Sequence, residues 1–145
     1  MQKCNVPLEG FMKEDKSYQW QLKKMLIIEI IGERIYKILS SKAKNDNRRE
    51  IYQRLALNEK LTAQYIEKEL LLINKSNHII FKGIISSLAS FIFNLLTAKQ
   101  IVWILEKTLK KRIYSHWLNI YKEYDQEFWN QLVNHEKLQH ELLGF

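Results

Sequence analysis

Apolar residues recur at steps of three and four along most of this chain. From Ile51 the series runs Leu55, Glu59, Thr62, Ile66, Leu70 and Ile73. That spacing places one stripe on one face of a helix. A second stripe carries Leu22, Met25, Glu29, Gly32, Tyr36, Leu39 and Ala43, widened by Ile27, Ile28, Ile31 and Ile35. Ser17 suits the N-cap of that first helix. Asn and Asp in Lys44–Asn47 suit a turn, because their side chains bond the local backbone. Asn74–Asn77 predicts a second polar break. A long apolar segment from His78 to Leu105 predicts a third helix, continuing to Arg112 or broken near Lys82–Gly83. Tyr114–His116 reads as a turn or kink. A last helix from Ser115 to Leu143 carries Trp117, Tyr121, Tyr124, Phe128, Leu132, His135, Leu138 and Leu142 on its stripe.

No alternating strand pattern and no hairpin dipeptide is present. Four long amphipathic segments with short polar connections predict an all-α, antiparallel four-helix bundle whose third helix is long and apolar. The expected organisation is an irregular lead-in over 1–16, where Pro7 and Gly10 discourage helix, and one bundle domain over 17–145. Trp103, Trp117 and Phe128 are expected to fill its core.

Composition changes this picture little. The content is globular, with 46% hydrophobic and 27% charged residues. A net charge of +7 could meet nucleic acid or anionic lipid. The basic residues are scattered, however, with the densest group at Lys107, Lys110, Lys111 and Arg112, and no nucleic-acid module or zinc spacing occurs. Cys4 is the only cysteine, which fits a reducing, cytoplasmic setting. The N-terminus lacks the apolar core of a signal peptide. The uncharged run Gly83–Ala98 is shorter than the roughly 20 residues of a spanning helix. It is expected to form bundle core or a homodimer interface, or to contact a membrane surface.

The candidate chemistry lies on the inner stripes. Each helix offers one group: Glu29, Glu59, Glu106 (on the stripe of Val102, Leu109 and Ile113) and His135. Inward carboxylates and imidazoles from facing helices build iron or manganese sites in bundles. An alternative pair, Glu136 and His140, lies on a face turned away from Phe128 and Leu132. Gly32 would allow close approach of a neighbouring helix, or leave space beside Glu29.

At these positions the chain resembles the ferritin-like superfamily, in particular the rubrerythrin-like domains that also occur fused to vacuolar-iron-transporter-type membrane domains. Glu29 and Tyr36 are similar to a helix 1 ligand and its tyrosine. IYKILS after Arg34 resembles the family's IY-x-x-LA segment. Glu59 falls on the glutamate of the helix 2 motif, Glu106 on that of the third helix, and His135 within an E-x-x-H-E-like last helix. The resemblance spans Leu22–Phe145. It implies metal ligation by Glu29, Glu59, Glu106 and His135, with Tyr36 orienting a carboxylate. Thr62, Leu109 and Leu132 stand where the family has further ligands, so the implied di-metal site is degenerate.

That implies a metal-binding or structural protein rather than a standard di-iron oxidase, with no catalytic residue assigned. The alternatives are an iron-binding oxidoreductase or iron-handling protein with a mononuclear or asymmetric site, and a membrane-associated interaction protein. If the site has decayed, no cofactor is expected, and the carboxylates pair with Tyr36, His135 or a lysine.

Overall fold

A computed structural model describes residues 16–73, 80–109, 113–121 and 125–144. The lead-in before Lys16, the break at Asn74–Asn77, the basic residues Lys110–Arg112, and Tyr124 lie outside them. The described residues form six helices: α1 (Lys16–Lys42), α2 (Asp46–Ile73), α3 (Ile80–Asn94), α4 (Ala98–Leu109), α5 (Ile113–Tyr121) and α6 (Gln126–Leu143). No strand occurs among them.

α1 and α2 are the long pair, at 27 and 28 residues, or about 40 Å each at 1.5 Å per residue. Their short connection makes them antiparallel neighbours. Asn45 starts α2 by accepting from the backbone N–H groups of Asn47 and Arg48 at 2.8 and 3.3 Å. α1 packs against α2, α3 and α4, and α6 packs against α5 and α2.

The anticipated long third helix is two helices. After Phe93 the chain makes tight turns, with Leu95 and Leu96 donating to the carbonyls of Ile92 and Phe93. Thr97 and Gln100 then exchange a capping box. The Gln100 carboxamide accepts from the Thr97 N–H at 2.8 Å, and the Thr97 hydroxyl accepts from the Gln100 N–H at 3.3 Å. The break therefore lies at Leu95–Thr97 rather than at Lys82–Gly83. It also resets the helical phase. Ile101 and Leu105 are buried in α4, while Val102 and Glu106 are half-buried. Trp103, expected in the core, is 57% exposed, with the Lys107 ammonium 4.2 Å from its ring centroid.

The last helix is divided as well. Tyr114 lies within α5, and α6 begins anew with Asp125 as N-cap, its carboxylate accepting from the Phe128 N–H at 2.9 Å. Gly144, at φ 73°, closes α6 in the left-handed region that favours glycine.

Two apolar clusters fill the interior. One gathers Tyr18, Leu22, Met25, Ile66, Leu70, Phe128 and Trp129. The other gathers Ile35, Leu39, Leu55, Ile101 and Leu105. Because α1 and α2 run antiparallel, a middle layer is left between the clusters. Glu29 follows Leu26 on α1, and Glu59 lies between Ala56 and Ala63 on α2. Among the described residues no helix is long and apolar enough to cross a membrane.

Candidate metal centre

The middle layer brings together three of the four expected ligands. Glu29 from α1, Glu59 from α2 and His135 from α6 present ligand atoms that all lie within 4.8 Å of one another. The two carboxylates are 1% and 2% exposed. His135 Nε2 lies 3.2 Å from Glu29 Oε2 and 3.7 Å from Glu59 Oε2. Burying two carboxylates so close is expensive unless a proton or a cation offsets their charge. Glu106 is not part of this cluster. The capping box at Thr97 turns α4 so that Leu105, not Glu106, faces inward.

Neighbouring side chains divide the lone pairs of the cluster. The Tyr114 hydroxyl donates to Glu29 Oε1, and the Gln139 amide donates to Glu59 Oε1. The opposite oxygen of Glu29 and the Nε2 of His135 are buried with no hydrogen-bond partner. They face each other across the centre of the cluster. Unpaired buried polar atoms are costly, and two of them converging with a second carboxylate form a donor set that suits a divalent cation.

His135 is aimed from behind. Its Nδ1 is 2.9 Å from the Thr62 hydroxyl and 2.6 Å from the Asn58 amide nitrogen. With Nδ1 protonated and donating to Thr62, the Nε2 lone pair faces the carboxylates, as metal ligation requires. A half-turn of the Asn58 amide brings its oxygen to Nδ1 and supports the same tautomer. In the other tautomer, Asn58 donates to Nδ1, and Nε2 carries the proton. The Thr62 hydroxyl thus helps to fix the orientation of the His135 ring.

Burial raises the Glu59 carboxyl well above the ordinary carboxylate range, and the charge of Glu29 adds to the effect. Burial lowers the His135 imidazole, against the upward pull of Glu29 and Glu136. Burial first, then Glu29, holds the Tyr114 hydroxyl protonated as a donor.

Tyr36 was expected to orient a carboxylate. It is fully buried beside the cluster, and its proton is held by burial first and then by Glu59 and Glu29. Its hydroxyl has no hydrogen-bond partner. Tyr114, in the segment read as a kink, is the tyrosine that bonds Glu29. Glu136 is buried but outside the three-residue cluster, and His140 is only partly buried.

Gly32 has a specific reason. A Cβ built there would lie 2.7 Å from both Cδ and Oε2 of Glu59. The space it leaves beside Glu29 is occupied by the Glu59 carboxylate. Gly32→Ala should therefore separate stability from binding. It recovers up to about 1 kcal/mol of helix propensity while displacing the carboxylate. The expected result is an unfolding temperature at or above wild type, with divalent-metal affinity reduced about tenfold, the lower end of what loss of a supporting group costs. Thermal unfolding and metal titration of the same samples read both.

Thr62, Asn58 and Gln139 were missed as a set, although a signal was present. Asn58 and Thr62 flank Glu59 at one-turn spacing, and Gln139 follows His135 by four residues. Compared with protein-family models, curated proteins and solved structures, the chain has no match.

Proposed function

We propose that this is a helical metal-binding protein of rubrerythrin or ferritin-like type, with a degenerate centre for a single divalent cation, iron or manganese. Glu29 Oε2, Glu59 Oε2 and His135 Nε2 would hold it. The observation that carries this reading is the convergence of unpartnered Glu29 Oε2 and His135 Nε2 beside a second buried carboxylate. Two carboxylates and one imidazole suit a hard-to-borderline ion and leave coordination positions open. Bound iron or manganese would supply one-electron chemistry towards dioxygen or peroxide. The chain's own part is to hold Glu29 through Tyr114, Glu59 through Gln139 and His135 through Thr62.

Binding should release a proton. In the metal-free protein the folded-state value of Glu59 lies above its ordinary 4.5. Its contribution to stability is present below that value and is lost as pH rises through the folded one. His135 acts oppositely. Its folded-state value lies below 6.5, so its contribution is present above 6.5 and is lost as pH falls through the folded value. A cation needs Glu59 ionised and His135 neutral. Affinity should therefore rise with pH, and binding at a pH below the folded-state value of Glu59 should release a proton from it. Calorimetry in buffers of different ionisation heat measures this; binding without proton release would contradict the assignment of Glu59.

A metal-free reading is supported by the closeness of the two buried carboxylates, because burial and the Glu29 charge favour the protonated form of Glu59. There one proton shared by the pair offsets the charge, and the cluster only fixes the packing of α1, α2 and α6. Absence of retained metal after supplementation would favour it.

The outer face of α3 supports a homodimer. Ile84, Leu88 and Phe91 form a row there, continued by Leu95 in the turn just after it, with Phe91 66% and Leu95 73% exposed. Contiguous apolar surface of this kind marks a contact. Sedimentation should give twice the chain mass, and Phe91→Glu should return the monomer. A monomer at high concentration would reject the dimer, and partition onto anionic vesicles would favour membrane-surface contact instead.

A further inference from the structure

A cavity of about 300 Å³ adjoins the cluster. Its walls are mostly apolar, from Ile31 and Ile35 of α1, Phe93 of α3, and Ile104 and Leu105 of α4. Its acidic wall carries Glu29, Glu59 and Glu136. It reaches the surface at Ile28, which is 44% exposed, and at the exposed Thr108. The hydroxyl of Tyr36, which also lines the cavity, is buried without a partner.

These features specify a ligand. A dry apolar cavity of roughly 150 Å³ accepts benzene, so twice that volume suits roughly ten to twelve non-hydrogen atoms. The apolar walls select hydrocarbon, and the Tyr36 hydroxyl needs an acceptor oxygen. The acidic wall opposes an anion, so a carboxylate head is disfavoured where a neutral one is accepted. Glu29, Glu59 and Tyr36 all line this one cavity, so a molecule that fills it meets both carboxylates.

We propose that this cavity is the binding site for a neutral, medium-chain alcohol or ketone, whose oxygen accepts a hydrogen bond from Tyr36 and whose chain lies between α1, α3 and α4. The inference deepens the metal-binding reading by giving the class of molecule presented to that centre. It rests on that reading for what the ligand meets, not for the binding itself.

The test is calorimetric titration of the full chain with 1-nonanol and with nonanoate, on chelator-treated and on manganese-supplemented protein. Nonanol should bind at one site per chain in both, and nonanoate at least tenfold more weakly. Ile104→Trp fills the cavity from α4, a helix that carries none of the three proposed ligands. It should weaken nonanol at least tenfold and leave manganese stoichiometry unchanged. Tyr36→Phe, which preserves the ring, should weaken nonanol several-fold and leave nonane binding unaltered. No saturable nonanol binding, equal binding of nonanoate, or indifference to both substitutions would overturn the proposal. Manganese binding without nonanol binding refutes this inference alone. Nonanol binding without manganese binding refutes the metal reading and leaves the cavity's ligand class standing.

Discussion

Replacing Glu59 by glutamine should abolish metal retention while making the metal-free protein more stable. The carboxamide fills the same space, and its oxygen can still accept from Gln139. What is lost is the charge. A cation held by Glu29 and His135 alone would lose a ligand, and affinity should fall by more than the roughly 10–100-fold that removal of a supporting group costs. In the metal-free protein the change relieves a buried carboxylate that burial and Glu29 both disfavour. Stability near neutral pH should rise by on the order of 1 kcal/mol. Metal titration and denaturant unfolding of chelator-treated samples give the two numbers. A variant that still retains a full equivalent of metal would remove Glu59 from the site. A variant both metal-free and markedly less stable would make the carboxylate a packing group.

Thr62→Val should have the next largest effect, through His135. Valine matches threonine in shape but removes the hydroxyl that accepts from Nδ1. The Asn58 amide can turn its oxygen to Nδ1 and take over part of that role, so the single substitution should cost about tenfold in metal affinity and Thr62→Val with Asn58→Leu about 100-fold. Stability should fall by about 1 kcal/mol for the lost buried hydrogen bond. If the affinity of the double variant equals that of wild type, the imidazole is not aimed by these groups.

The sequence was most legible where the chain is longest and most regular. On α2 the anticipated stripe is the observed one: Leu55, Glu59, Thr62, Ile66 and Leu70 are all buried. On α1 the stripe from Leu22 to Leu39 is inward, though Ile27 and Ile28 face out. These two helices carry the two carboxylates, so two of the three members of the cluster followed from period alone. His135 followed from its place between Leu132 and Leu138.

Glu106 failed because the stripe was carried straight through Leu95–Thr97. The capping box at Thr97 and Gln100 was written in the chain as a T-x-x-Q pattern, and apolar residues on both sides hid it. A break of three residues rotates everything after it, which is why Ile101 and Leu105 took the place anticipated for Val102 and Glu106. Tyr114 failed for a related reason. Its contact with Glu29 depends on how α5 is set against α1, and no local spacing records that. The role of Gly32 was half visible. An unexplained helical glycine marked a close approach, but only the packed structure shows that the approaching group is the Glu59 carboxylate.

The central claim is that Glu29, Glu59 and His135 hold one divalent cation per chain. Metal analysis of protein purified without chelator and supplemented anaerobically with iron(II) or manganese(II) tests it most directly. The expected result is about one equivalent per chain, in keeping with a single site of deprotonated ligands. Retention of only a small fraction of an equivalent, with either metal, would contradict the account and leave the cluster as a proton-sharing pair.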